Sequence, residues 1–182
     1  MTKSAFQPMP ILLTVDGWLD YFLDAAWVTA DDLSLAMGRV GRNSSPTLVC
    51  DLYMEDMLEP ELAAWAVPDA WSDAEWPMVM IEESVWRLLF DFAGYTENGK
   101  AAARPAGPLT LFRGSDAEHR FGWSWTDRVE TAQWFAARVI HAERGQVWRA
   151  TVPPDRLLAR ITEGREEHEW VVDTQGLEIA EV

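Results

Sequence analysis

Between residues 96 and 108 the chain reads TENGKAAARPAGP, and the spacing of apolar residues follows different rules on its two sides. Glycine, proline and small residues gather there and break any regular period, which marks a boundary. Before it, apolar positions recur at helical spacing. In EESVWRLLFDFAGY they fall at 85, 86, 88, 89, 90 and 92, a broad helical face. After it come short apolar-rich runs bounded by Gly, Pro or charge: PLTLFRG (108–114), GQVWRATV (145–152), RLLARI (156–161) and EWVVDT (169–174). Helices followed by strands predict an α+β chain, with a helical region over 1–100 packed on a β-rich core over 105–182 as one compact unit.

The helix boundaries have their own signals. Thr14 or Asp16 opens GWLDYFLDAAWV, and Thr29 opens ADDLSLAMGRVG, whose last glycine is a stop. NSSPTLVCDLYMEDMLEPELAAWAV continues as one or two helices divided near Pro60. Within the second half, DRVETAQWFAARVIHAERG carries an apolar stripe at 129, 132, 135, 136, 139 and 140, a helix capped by Thr126 or Asp127 that closes near Gly145.

The 182 residues, 48% hydrophobic, suffice for one ordinary core. Eleven tryptophans scattered without a fixed period argue against a repeat array and read as large core residues. Apolar stretches are short and interrupted by charge, and the N-terminus lacks the pattern of a signal peptide, so a cytoplasmic protein is expected. The single cysteine, Cys50, excludes an internal disulfide and reads as a small buried side chain. Net charge is −15, with 17 acids and 5 bases in residues 1–100 but 13 acids and 10 bases in 101–182. Such a surface repels phosphate backbones and disfavours non-specific nucleic-acid binding, while leaving room for a local anion pocket. No metal is expected, because His119, His141 and His168 are isolated and the carboxylates lack a repeated ligand spacing.

Three segments carry residue types suited to chemistry. In LFRG, Arg113 ends a predicted strand before Gly114, where a guanidinium can clamp a phosphate and a glycine admits close approach of a ligand. A strand-end salt bridge would produce the same sequence. In GWSWTDRVETAQWFA, Ser124 and Thr126 share one face of an extended segment and Trp123 and Trp125 the other. In GREEHEWVVDT, Glu167 and Glu169 share a strand face, with Glu166 opposite, and a glutamate cluster is by default a solvated surface.

In this order the segments resemble the Arg–Ser–Glu branch of the ADP-ribosyltransferase superfamily, whose Arg, Ser-x-Ser/Thr and Glu-x-Glu motifs match Arg113, Ser124-Trp125-Thr126 and Glu167-His168-Glu169. The likeness covers residues 108–174 and implies a split β-sheet core with NAD as co-substrate. It implies that Glu169 is the catalytic carboxylate, set against the ribose, and that Ser124 orients it while Thr126 supports the strand. Arg113 would hold NAD, the Gly114 backbone would meet the nicotinamide amide, and Phe135 or Trp134 would stack nearby. Glu167, first of the pair, points to an arginine side chain of a protein as acceptor. A bacterial or phage effector, a toxin of a toxin–antitoxin pair and a housekeeping modifier would look alike at this level. The opposing expectation is a catalytically silent interaction protein whose acidic first half binds a basic partner or imitates nucleic acid.

Overall fold

A computed structural model of the chain describes residues 12–138, 145–163 and 168–182. It is an α+β structure with seven α-helices and one eight-stranded mixed sheet among those residues.

The caps read from sequence set the first helices. Helix α1 (Val15–Ala25) begins where the Thr14 hydroxyl accepts the Gly17 amide at 3.2 Å, and α2 (Ala30–Val40) where Thr29 accepts the Asp32 amide at 3.1 Å. Gly41, at φ +83°, ends α2. Helices α3 (Ser45–Met54) and α4 (Pro60–Asp73) are the two segments divided at Pro60, which occupies the first turn of α4, where its missing N–H costs nothing. Ala63, Ala66, Val67, Ala70 and Trp71 of α4 are buried, and the small residues among them let the helix lie close to its neighbours. A short α5 (Pro77–Met80) precedes α6 (Glu83–Ala93), which buries Trp86, Leu89, Phe90 and Ala93. Leu88, included in the sequence-derived apolar face, is instead exposed. Cys50 on α3 is half-buried rather than enclosed, and burial, aided by Asp51, raises its pKa, so the thiol is not activated.

The stretch 96–108 is more than a boundary. It forms strands β1 (Thr96–Glu97) and β2 (Lys100–Ala101), a small hairpin turning at Asn98 and Gly99, both at positive φ. The four strands expected from sequence follow as β3 (Leu109–Ser115), β5 (Gln146–Val152), β6 (Leu157–Ile161) and β7 (Glu169–Val172), with β4 (Ser124–Thr126) and β8 (Ile179–Glu181) completing the set. Their order is β2-β1-β6-β7-β4-β3-β5-β8; β1 runs parallel to β6 and every other neighbouring pair is antiparallel. Helix α7 (Val129–Ala137) lies between β4 and β5 in sequence. Neither Thr126 nor Asp127 is its N-cap. Arg128 holds that position, and the Thr126 hydroxyl accepts the Arg128 amide at 3.2 Å, tightening the turn just before the helix. The remainder of the expected helix, including His141, lies outside the described residues.

Two apolar clusters form the interior. The larger joins the helices to Trp123, Leu158, Ala159 and Val171; the smaller is built mainly from strand residues, among them Leu111, Trp125, Trp148, Trp170 and Val172. Along β7 the alternation is explicit, with Trp170 and Val172 in one cluster and Val171 in the other, so this strand is buried on both faces. A charged contact also ties the regions together. Asp173, just past β7, accepts Arg87 of α6 through both oxygens, at 3.1 and 3.2 Å, and Arg156 at 2.7 Å. Most tryptophans are core residues as expected, but Trp27, Trp76 and Trp134 are exposed. No helix among the described residues is long and apolar enough to cross a membrane.

Candidate active site

The site starts from the register of β4 against β7. Ser124 faces Val171, Trp125 faces Trp170 and Thr126 faces Glu169, so Ser124, Thr126, Glu169 and Val171 share one side of the sheet and the two tryptophans the other. Trp125 is buried there with its indole N–H on the Gly122 carbonyl at 2.7 Å, a packing role. On the first side, the Ser124 hydroxyl donates to Glu169 Oε1 at 2.6 Å, the length of a hydrogen bond to a carboxylate. His168, immediately before the strand, has φ +48°, a left-handed conformation that turns the chain into β7 at Glu169.

A second donor meets the same oxygen from the helical region. The indole N–H of Trp71, on α4, donates to Glu169 Oε1 at 3.0 Å. Nothing in the sequence around Trp71 distinguishes it from the other tryptophans. The approach of α4 to the sheet is a tertiary fact with no local signal.

Arg113 reaches this arrangement from β3. Strands β3 and β4 share one register pair, Phe112 with Thr126, and the guanidinium takes the place of further ladder bonds. Its Nη1 donates to the Ser124 carbonyl at 2.7 Å and its Nε to the His119 carbonyl at 2.9 Å. Burial lowers the Arg113 pKa to about 10, although the charges of Glu169 and Asp116 push the other way, and the group remains a cation at neutral pH. The loop that holds it is itself fixed, since Asp116 accepts the His119 amide at 2.8 Å and lies 2.7 Å from the His119 ring nitrogen. Those contacts, led by the backbone amide, lower the Asp116 pKa. Gly122 completes the cradle. A Cβ built there would fall on the Arg113 guanidinium, 2.6 Å from its central carbon.

Gly114 is required for a different close approach. A Cβ on it would strike backbone atoms of Ala132 and Ala136 and come within 2.9 Å of Phe135 Cβ, so α7 lies directly on β3 at this residue. Phe135 is therefore held beside Gly114. Trp134 projects from the exposed side of α7, edge-on to Phe135 at 4.9 Å and with the Arg138 guanidinium over its ring at 4.2 Å. The structure thus brings together Arg113, Ser124 and Glu169, keeps Thr126 in the adjoining turn, sets Phe135 against Gly114, and leaves Trp134 at the surface with Arg138. Glu167 and Glu166 lie outside the described residues.

Beside Glu169 the sheet borders a cleft of about 390 Å³, lined among others by Trp65, Asp69, Asp73, Asn98, Ile161 and Glu163. Ile161 is the register partner of Glu169 on β6, which sets the cleft beside the backbone of Glu169 without making that residue part of its wall. Burial, then the nearby Asp73 carboxylate, raises the pKa of Asp69. The Asn98 side chain ties β1 to the far end of β6, accepting the Thr162 amide at 2.7 Å and the Glu163 amide at 3.2 Å. No group of three or more His, Cys, Asp or Glu side chains among the described residues is placed to hold a metal ion.

The arrangement can present a fixed carboxylate and a fixed cation to one ligand. Both donors to Glu169 converge on Oε1, which directs binding capacity to the other oxygen. Comparison of the chain with protein-family models, with curated proteins and with solved structures finds no match.

Proposed function

We propose that this chain is an NAD-dependent mono-ADP-ribosyltransferase that modifies a protein, with an arginine side chain as the favoured acceptor. One observation carries the reading. Arg113 and Ser124, 11 residues apart on the consecutive strands β3 and β4, are joined by Glu169 of the adjacent β7, 45 residues after Ser124, with Arg113 bonded to the Ser124 backbone and the Ser124 side chain bonded to Glu169. A solvated glutamate cluster and an unrelated strand-end arginine have no reason to meet in this way.

The chemistry suits the residues. Breaking the bond between nicotinamide and ribose leaves an electron-poor, oxocarbenium-like sugar carbon, which a carboxylate stabilises as it does in glycoside hydrolysis. Glu169 supplies that charge and accepts a ribose hydroxyl on its second oxygen. Arg113 supplies a permanent cation for the phosphates, already oriented by two backbone carbonyls and so bound with little further loss of freedom. The Gly114 backbone meets the nicotinamide amide, while the space its missing side chain leaves is taken by α7. Glu167 steers the acceptor. The acidic cleft beside Ile161 has the sign of charge that suits a guanidinium and opposes a phosphate backbone. The same site admits water as acceptor, which would appear as NAD glycohydrolase activity.

The test is incubation of the purified chain with NAD labelled in its adenosine half, alone and with cell lysate, following nicotinamide release and label on macromolecules. Release that depends on Glu169, with label on protein, is the expected result. A chain that neither releases nicotinamide nor transfers label overturns the proposal. Calorimetry showing no NAD binding, together with salt-sensitive capture of a basic protein, would put the acidic interaction protein in its place.

A further inference from the structure

We propose that Trp71 is a positioning residue for Glu169, so that the helical region supplies part of the catalytic apparatus. The inference rests on the transferase reading above and names a residue outside the three motifs. A carboxylate on a long side chain turns freely about its last bond, and one hydrogen bond does not fix it. Here Oε1 receives two, from Ser124 on the neighbouring strand at 2.6 Å and from Trp71 on α4 at 3.0 Å. Two donors from separate elements set the plane of the carboxylate and occupy one oxygen, which leaves Oε2 turned to the ligand.

The indole is itself immobilised. Trp71 is 3% exposed, lies edge-on to Trp86 at 5.1 Å and stacks on Trp123 at 5.6 Å and 26°. Trp123 directly precedes Ser124, so the stack connects both donors of Oε1 to one rigid aromatic group. Most buried indoles find an acceptor for packing reasons alone, although that of Trp123 has none among the described residues. Trp18, Trp86, Trp125 and Trp148 meet that need with backbone carbonyls, and Trp170 with Asp127 at 3.3 Å. Trp71 instead spends its only donor on the carboxylate that the chemistry requires.

Steady-state nicotinamide release should be measured for Trp71→Phe beside Trp18→Phe, a buried ring of the same cluster whose ring contacts are with Tyr21 and Phe22. In Trp71→Phe, kcat is expected to fall about 10- to 100-fold while KM for NAD stays within about 2-fold, as for an interaction that acts in the transition state. Trp18→Phe should lose stability but keep kcat within about 2-fold. Equal kcat in wild type and Trp71→Phe, or equal effects of the two substitutions, would overturn the proposal. An inactive wild type would instead refute the transferase reading.

A second measurement needs no tryptophan substitution, and so stands even if Trp71→Phe does not fold. The indole ¹H–¹⁵N resonance of Trp71 should move upfield in Glu169→Gln, while those of Trp86 and Trp125 stay in place. It should keep its low-field position when a carbocyclic NAD analogue that cannot release nicotinamide is added. A Trp71 resonance indifferent to Glu169→Gln, or one that leaves its hydrogen-bonded position when the analogue binds, would overturn the proposal.

Discussion

The hydroxyl of Ser124 and Oε1 of Glu169 lie 2.6 Å apart across two antiparallel strands and 45 residues of chain. They are diagonal neighbours on one face: Ser124 is in register with Val171, two residues beyond Glu169. The bond therefore reports the sheet's register as well as the site's geometry.

Ser124→Ala removes this donor but leaves the strand pairing and the Trp71 bond. Because Ser124 is exposed, folding stability should change by no more than about 0.5 kcal/mol. Nicotinamide release should slow by about 10-fold in kcat. Glu169→Gln, which removes the charge, should cost about 10³-fold and leave NAD affinity near that of wild type. Stopped-assay kinetics with calorimetric NAD titration measures both. A Ser124→Ala protein as fast as wild type would remove Ser124 from the mechanism.

Part of this site is legible in sequence because its signals are local. Arg113 before Gly114, the alternation of Ser124, Trp125 and Thr126, and Glu169 leading into Trp170-Val171-Val172 each announce a strand and a face. The caps at Thr14 and Thr29 are equally local. What escaped depends on contacts distant in sequence. Trp71 looks like any core aromatic until α4 is set on the sheet, and Gly122 looks like a loop glycine until the guanidinium is beneath it. Strand β8 at Ile179–Glu181 and the hairpin of β1 and β2 are too short for periodicity to reveal, and gain their structure from β5 and β6.

Gly114→Ala tests the contact between β3 and α7. The added methyl would meet backbone atoms of Ala132 and Ala136, which cannot turn aside as a side chain tip can. Overpacking against fixed backbone should cost about 3 kcal/mol or more, seen as a lower urea midpoint with little change in slope. A midpoint equal to wild type would show that α7 does not lie on β3 in this way.

The Arg87–Asp173–Arg156 group predicts a pH dependence of stability. Burial would raise the Asp173 pKa, but the Arg87 hydrogen bond, the Gln175 amide and the Arg156 bond outweigh it and leave it below the usual carboxylate value. A depressed folded-state pKa means stability that is fully present above the unfolded value of about 3.9 and is lost as pH falls through the folded value below it. The urea midpoint should therefore drop between pH 5 and the acid limit. Asp173→Asn should be destabilised by about 3 kcal/mol at pH 7, because Arg156 loses its carboxylate and Arg87 is left with Glu83 alone, and should show a shallower acid dependence than wild type. Parallel pH curves for the two proteins would contradict the assignment.

Gly122→Ala separates cofactor binding from catalysis. The added Cβ would overlap the Arg113 guanidinium, the far end of a long side chain, so the clash can be relieved by moving that group instead of the backbone. Displacement breaks its bonds to the Ser124 and His119 carbonyls and takes away the oriented cation, while the Ser124–Glu169 and Trp71–Glu169 bonds involve none of these atoms. KM for NAD should then rise about 10-fold or more with kcat changed less, as expected when a charged contact made equally in ground and transition states is lost. Arg113→Ala should produce the same change in KM, and the double substitution Gly122→Ala with Arg113→Ala should be no worse than Arg113→Ala alone, because the glycine acts only through the arginine. Kinetics of the three variants under identical salt measures this, and additive losses in KM would show that Gly122 meets NAD by another route.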